Sequence, residues 1–175
     1  IGDSSGKLYS NNELLFQTRD HDYNNQDELI RIQEIGGNYI RDWDISLKDK
    51  STILSVQAKV IDVKGEKINM TRSLGHFGVF LPESFFESAI ISREPDVNYK
   101  IVTGSDGFWQ MTCSEDDEFI SLLENKSDSL AQFARTRWES KWNWDDSQGK
   151  IETGVKLPAS NIDDICVATW SSQIP

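Results

Sequence analysis

The residues with the most chemical potential are aspartates set beside glycines or at the ends of β-rich stretches. Asp106 follows the stretch Tyr99–Thr103 inside Gly104-Ser105-Asp106-Gly107. Asp163 and Asp164 stand directly before a second such stretch, Ile165–Trp170, and Asp3 sits in an opening Gly2-Asp3-Ser4 turn. Positions of this kind hold a carboxylate firmly while leaving it open to water. Carboxylates that converge in one cleft repel one another unless a cation compensates. Mg2+ and Mn2+ suit such a set, because they take octahedral oxygen shells, keep several waters and need few protein ligands. A water between two such ions becomes a usable hydroxide near neutral pH and can attack phosphorus in line. Asp beside Gly is also ordinary turn chemistry, and residue types alone leave both readings open.

Other chemistries find no support. There is no Gly-x-Ser-x-Gly elbow and no phosphate-cradling Gly-x-x-x-x-Gly-Lys. No CxxC or HExxH occurs, and the only histidines are His21 and His76, so a zinc site is not expected. Two cysteines, Cys113 and Cys166, make no disulfide framework and read as idle thiols of a reducing, cytoplasmic compartment. The formal net charge of −11 argues against nucleic acid or an anionic membrane as partner. No apolar run is long enough to span a bilayer, and no leader-like segment opens the chain. The sequons at Asn69 and Asn125 read as chance.

The elements that must position these aspartates can be read from pattern. A length of 175 residues with 37% hydrophobic content suits one folded domain. Asn11-Asn12 between Lys7–Ser10 and Leu14–Gln17 predicts a hairpin. Gln26–Ile35 predicts a helix with Leu29, Ile32 and Ile35 on one face, stopped by Gly36-Gly37. Residues 38–51 are poorly patterned and read as a surface excursion. Thr52–Val63 is β-rich, with a turn at 64–67 leading into Ile68–Thr71, and 75–95 reads as a loop packed onto the body. Ser114 is the expected cap of a helix whose buried face is Phe119, Leu122 and Leu123. A second helix is expected from about Asp128 to Trp142, with Leu130, Ala134, Trp138 and Trp142 as a core stripe. Residues 143–160 read as a polar loop. Strands, then helices, then a final strand make an α+β chain.

These motifs, in this order, resemble the C-terminal part of the protein phosphatase 2C domain, the metal-dependent Ser/Thr phosphatases. Gly2-Asp3-Ser4 resembles the family's Gly-Asp-Ser-Arg turn. Thr18-Arg19-Asp20-His21 followed by Glu28, Arg31-Ile32 and Gly36-Gly37 resembles its Thr-x-Asp-His … Glu-x-x-Arg-Ile-x-x-x-Gly-Gly segment. Ile68 to Gly75 resembles its Leu-x-x-Ser/Thr-Arg-x-x-Gly-Asp segment, and Glu94-Pro95-Asp96-Val97 its Glu-Pro-x-Val step. Ser105-Asp106-Gly107-Phe108-Trp109 resembles Asp-Gly-x-Trp-Asp, and Asp163-Asp164 the terminal Asp-Asn.

The resemblance implies a β-sandwich flanked by helices, with residues 1–175 forming the C-terminal part of a single domain. It implies Mg2+ or Mn2+ as cofactor, Asp106 and Asp163 as core ligands, and Asp3 as a ligand of a weaker ion. Residues 38–67 would fall in or near the variable flap. The substrate class implied is a phosphoprotein carrying phosphoserine or phosphothreonine. The family's Asp-Gly-His-Gly-Gly segment occurs nowhere in the 175 residues. The N-terminal half is therefore expected to be missing from this chain, supplied upstream or by a separate chain, and the chain alone is expected to be inactive. His76 and Gln110 stand where the family has Asp. These departures support an alternative, a non-catalytic phosphatase-like binding module or pseudophosphatase. A third reading, a phosphoprotein binder without hydrolysis, would have to rely on Arg72, Arg93 and Lys100.

Overall fold

Two asparagines make the first turn. Asn11 and Asn12 hold φ at 49° and 65°, the left-handed values that a two-residue hairpin loop demands and that Asn tolerates better than most residues. They join β1 (Ser5–Ser10) to β2 (Glu13–Gln17) as an antiparallel pair, as the sequence predicts. The computed structural model describes residues 4–22, 24–34, 38–63, 66–68, 70–71, 97–113, 116–146 and 148–172. The elements that follow are α1 (Gln26–Glu34), β3 (Asn38–Leu47), β4 (Thr52–Val63), β5 (Glu66–Ile68), β6 (Tyr99–Gly104), α2 (Asp106–Trp109), α3 (Asp117–Leu122), α4 (Ser127–Glu139), β7 (Lys141–Asp145), β8 (Ile151–Lys156) and β9 (Val167–Ser171). One sheet has the order β2-β1-β6-β9; the other runs β3-β4-β7-β8, with β5 on β4. The class is α+β, two sheets flanked by helices.

The chain falls into two compact units. One comprises Ile1–Ser4, Arg19–Asp44 and Gln57–Ser92. Within it, Leu29 and Ile32 of α1 are buried, as the helical spacing predicts. Asp22 and Met70 form an isolated bridge, and beside it Thr71 donates its backbone N–H to the His21 carbonyl at 2.6 Å. The Thr71 hydroxyl donates to buried Glu28 at 2.7 Å, and Arg31 donates to both Glu28 (2.9 Å) and the Thr71 carbonyl (2.5 Å). Two motifs some forty residues apart in the chain are thus pinned by one buried polar cluster. His21 is itself buried, in keeping with a packing role.

The other unit comprises Ser5–Thr18, Ile45–Val56 and Arg93–Pro175. Its core is centred on Phe119, whose ring lies 6.1–6.4 Å from those of Tyr9, Phe108, Trp109 and Phe133. Val102, Ile53, Met111 and Leu157 fill the remaining space. Leu130, Ala134 and Trp138 of α4 are fully buried, so that helical stripe is core.

The structure corrects the sequence reading at four places. Trp142 is not on the helix: α4 stops at Glu139, Ser140 is extended at φ −73° and ψ 168°, and β7 begins at Lys141. The Trp142 indole still reaches back and donates at 3.0 Å to the Arg137 carbonyl, which also accepts from the Ser140 N–H at 3.1 Å. Residues 143–160 are not a loop, because β7 and β8 pair antiparallel there and β7 runs parallel to β4. The alternation Trp142/Trp144 carries the strand signal, but β8 is almost wholly exposed and reads as polar for that reason. Residues 38–51 contain β3, a strand with no fully buried residue in which Ile45 and Leu47 lean on the core. The cap of α3 is Asp116, whose carboxylate accepts from the Glu118 N–H at 3.0 Å.

The 75–95 segment, Gly36-Gly37, Ser114, Asp3, His76, Arg72 and Arg93 lie outside the described residues. Among the described residues no helix is long and apolar enough to cross a membrane.

Candidate metal centre

The antiparallel pairing of β6 with β9 decides where the acids go. Gly104, the last residue of β6, pairs with Val167, the first of β9. Asp106 follows one end and Asp163 precedes the other, so both leave the sheet at the same end. Ser5 pairs with Gly104 as well, which brings the start of β1 to that end.

Beyond the ladder the two segments are cross-braced. The Ser105 N–H donates to the Cys166 carbonyl at 2.9 Å. The Ser105 hydroxyl accepts from the Cys166 N–H at 3.1 Å and donates to the Asp164 carbonyl at 2.8 Å. Ser105 occupies the cap position of α2 in extended backbone, yet its side chain makes no bond to that helix; its oxygen is spent across the cleft. Gly107 then lets the segments touch. A Cβ there would lie 2.6 Å from the Asp164 carbonyl oxygen and 2.9 Å from the Asp163 Cβ, distances that no side chain tolerates. The Gly107 carbonyl is held from the core side by the Trp138 indole N–H at 2.7 Å.

On this frame Asp106 is half-buried and Asp163 and Asp164 are exposed. One Asp106 oxygen accepts from the Gly107 N–H at 2.8 Å, and one Asp163 oxygen from the Asp164 N–H at 2.7 Å. Each carboxylate is therefore oriented by the peptide that follows it. The donor set is oxygen only and negatively charged, which fits a hard divalent ion such as Mg2+ or Mn2+ and not a soft one. Among the described residues no group of three or more His, Cys, Asp or Glu stands ready to hold a metal ion; Asp3 is not among those residues.

The surroundings are aromatic and partly basic. Trp109 packs edge-on to Phe108 at 4.7 Å, donates to the Ser5 carbonyl at 3.0 Å, and carries the Lys7 ammonium 4.2 Å above its ring. Gln110 closes α2, its N–H donating to the Asp106 carbonyl at 2.7 Å. It lines a groove of about 510 Å³ with Leu14, Ile45, Leu47 and Trp109. Lys100 donates to the Asn125 carbonyl at 3.3 Å. Both cysteines are free and exposed.

Sequence reasoning finds the acids but not what holds them. Ser105 and Gly107 enter only as letters of a motif, and Trp138 only as core. The signal for Gly107 is its place between an acid and the aromatic pair Phe108-Trp109; Trp138 carries no signal of its hydrogen bond.

A search among curated proteins gives no match. The family model described as protein phosphatase 2C matches residues 1–147 of the 175, a span that includes Asp106 and stops before Asp163. With that much of its length accounted for, the chain belongs to the protein phosphatase 2C family, whose members are metal-dependent protein Ser/Thr phosphatases.

Proposed function

We propose that this chain carries the C-terminal portion of a working phosphatase 2C centre, which removes phosphate from phosphoserine or phosphothreonine in proteins. The observation that supports it is the Ser105-to-Gly107 turn seated against Asp163-Asp164. Asp106 and Asp163 would hold Mg2+ or Mn2+, with Asp3 as a further ligand. Such an ion, when bound, neutralises phosphate charge and makes water a competent nucleophile near neutral pH. The chain's own part is to fix the carboxylates. Gly107 permits close approach, Trp138 anchors the Gly107 carbonyl, and the backbone N–H groups of Gly107 and Asp164 orient one oxygen of each acid.

The 175 residues contain no Asp-Gly-His-Gly-Gly segment. Two or three aspartates without a bridging one hold a cation loosely and do not clamp two ions about 3.5–4 Å apart. The 175 residues alone are accordingly inactive in this reading, and turnover depends on residues beyond them or on another chain. The test is a phosphopeptide assay with Mn2+ on the protein at its full natural length. Mn2+-dependent turnover that Asp106→Asn abolishes is the expected result; no metal-dependent turnover rejects the reading.

Gln110 favours a second reading. It follows Trp109 where the family places an acid, and an amide supplies no charge to a cation. A non-catalytic module that keeps the fold for binding fits that residue. Tight Mn2+ uptake measured by calorimetry would count against it.

A further inference from the structure

The Ser105 side chain bonds across the acid-bearing end, linking the segment that carries Asp106 to the segment that follows Asp163. We infer that Ser105 is a positioning residue that sets the spacing of Asp106 and Asp163 for a divalent cation. The inference rests on the metal reading above and deepens it. Three bonds carry it. The Ser105 backbone N–H reaches the Cys166 carbonyl at 2.9 Å, and its hydroxyl oxygen both accepts from Cys166 N–H at 3.1 Å and donates to the Asp164 carbonyl at 2.8 Å.

Regular ladder geometry ends one residue earlier, at Gly104 and Val167. Past that point the backbones diverge, since one chain turns into α2 and the other comes from the short helical turn Ala159–Asn161. Beyond the ladder the Ser105 N–H still reaches the Cys166 carbonyl, and the hydroxyl adds two further bonds to the facing segment. It is the direct neighbour of Asp106 in sequence, and its acceptor carbonyl belongs to the residue after Asp163. In this reading a shift of either segment that alters the Asp106-to-Asp163 spacing also strains these bonds. Ser105 sits at a cap position where a serine ordinarily bonds its own helix. Here it makes no such bond, so helix capping does not account for the residue.

Removing a group that orients metal ligands typically costs about 10–100-fold in metal affinity. Because the Ser105 backbone bond survives substitution, the lower end applies. Ser105→Ala is expected to weaken Mn2+ binding about tenfold, and Ser105→Thr, which keeps the hydroxyl in an extended backbone, to bind close to wild type. The experiment titrates Mn2+ into the full-length protein and into both variants by calorimetry, with Asp106→Asn as reference. Backbone amide exchange of Cys166 is followed in metal-free protein. Faster Cys166 exchange in Ser105→Ala together with weakened Mn2+ uptake, both restored in Ser105→Thr, supports the role. Unchanged Mn2+ affinity in a folded Ser105→Ala, with Asp106→Asn still impaired, overturns the positioning role and leaves the metal reading standing. Failure of the wild-type protein to take up Mn2+ removes the metal reading and this role with it. If Ser105→Ala does not fold, wild-type-like exchange at Cys166 but weakened Mn2+ binding in Ser105→Thr overturns the inference.

Discussion

Gly107 shows how one missing methyl group shapes the candidate site. Any Cβ would meet a backbone carbonyl at 2.6 Å and the root of Asp163 at 2.9 Å, and a backbone neighbour cannot swing aside as a side chain can. Gly107→Ala therefore has to push the 163–164 segment outward. A cost of about 2 kcal/mol is expected, read as a lower urea midpoint, with Cys166 amide exchange quickening as the Ser105 bonds stretch. Stability equal to wild type would mean the two segments are not held together. In the other unit, Glu28 is the comparable residue, buried and bonded to both the Thr71 hydroxyl and Arg31. Glu28→Ala leaves Arg31 without its carboxylate in a half-covered site. A loss of about 3 kcal/mol follows, since breaking a buried pair strands the surviving charge. Chemical denaturation checks it, and Glu28→Gln, which keeps an acceptor for Thr71, should lose less.

Among the elements, the β1–β2 hairpin is limited by its turn. Asn12 at φ 65° sits where glycine is at ease. Asn12→Gly completes the Asn-Gly pair that such loops prefer and should raise stability by about 0.5 kcal/mol, whereas Asn12→Val should lower it by more than that. A thermal melt of the three proteins decides it. The α3 cap carries more. Asp116 is 2% exposed, accepts from Glu118 N–H, and pairs with Arg137 at 3.3 Å and Lys50 at 3.4 Å. Asp116→Asn keeps the cap and loses the charge, so comparing it with Asp116→Ala separates a cap worth about 1 kcal/mol from the ion pairs. What the sequence disclosed among these elements follows from burial. The Asn-Asn hairpin, α1 and the Leu130, Ala134, Trp138 stripe were legible because turn chemistry or one-sided burial wrote them into the residue pattern. β3 and β8 were not, since neither contains a fully buried residue and a strand without a dry face has no alternation to display. Trp142 misled for a physical reason. Four residues beyond Trp138 it extends a helical period, while two before Trp144 it begins a strand, and the extended backbone of Ser140 chooses between them. Of the candidate site, the aspartates were legible as residue types beside turns. The bracing by Ser105 and Trp138 was not, because a hydroxyl or an indole bonding a distant carbonyl leaves no trace in spacing.

At the scale of the whole molecule, charge sets the response to pH and salt. Lys48, Lys50 and Lys150 are held above the ordinary ammonium range, first by hydrogen bonds to Asp145, Asp117 and Glu152 respectively. A raised cation contributes stability that is complete below its unfolded value, about 10.4, and is lost as pH climbs through the higher folded value. Asp42 and Asp49 are held below the ordinary carboxylate range, first by the Lys67 ammonium and by the Ser51 N–H. Their contribution is complete above about 3.9 and is lost as pH falls through the lower folded values. These five groups thus leave stability flat between those limits and erode it on both flanks. Lys48, Asp49, Lys50 and Lys150 are exposed and Asp42 is half-buried but open to solvent, so each contribution is small. Against them stands a net charge of −11, whose self-repulsion destabilises the compact state. Salt distinguishes the two effects by distance. The Lys48–Asp145 pair is 2.9 Å long, well inside the screening length of about 10 Å at 0.1 M salt, whereas repulsion summed over the whole surface acts beyond it. Raising NaCl at pH 7 should therefore weaken the repulsion more than the pairs. The urea midpoint at pH 7 is expected to rise as salt is added from a low-salt buffer, and a fall would show that the short ion pairs outweigh the surplus of acid.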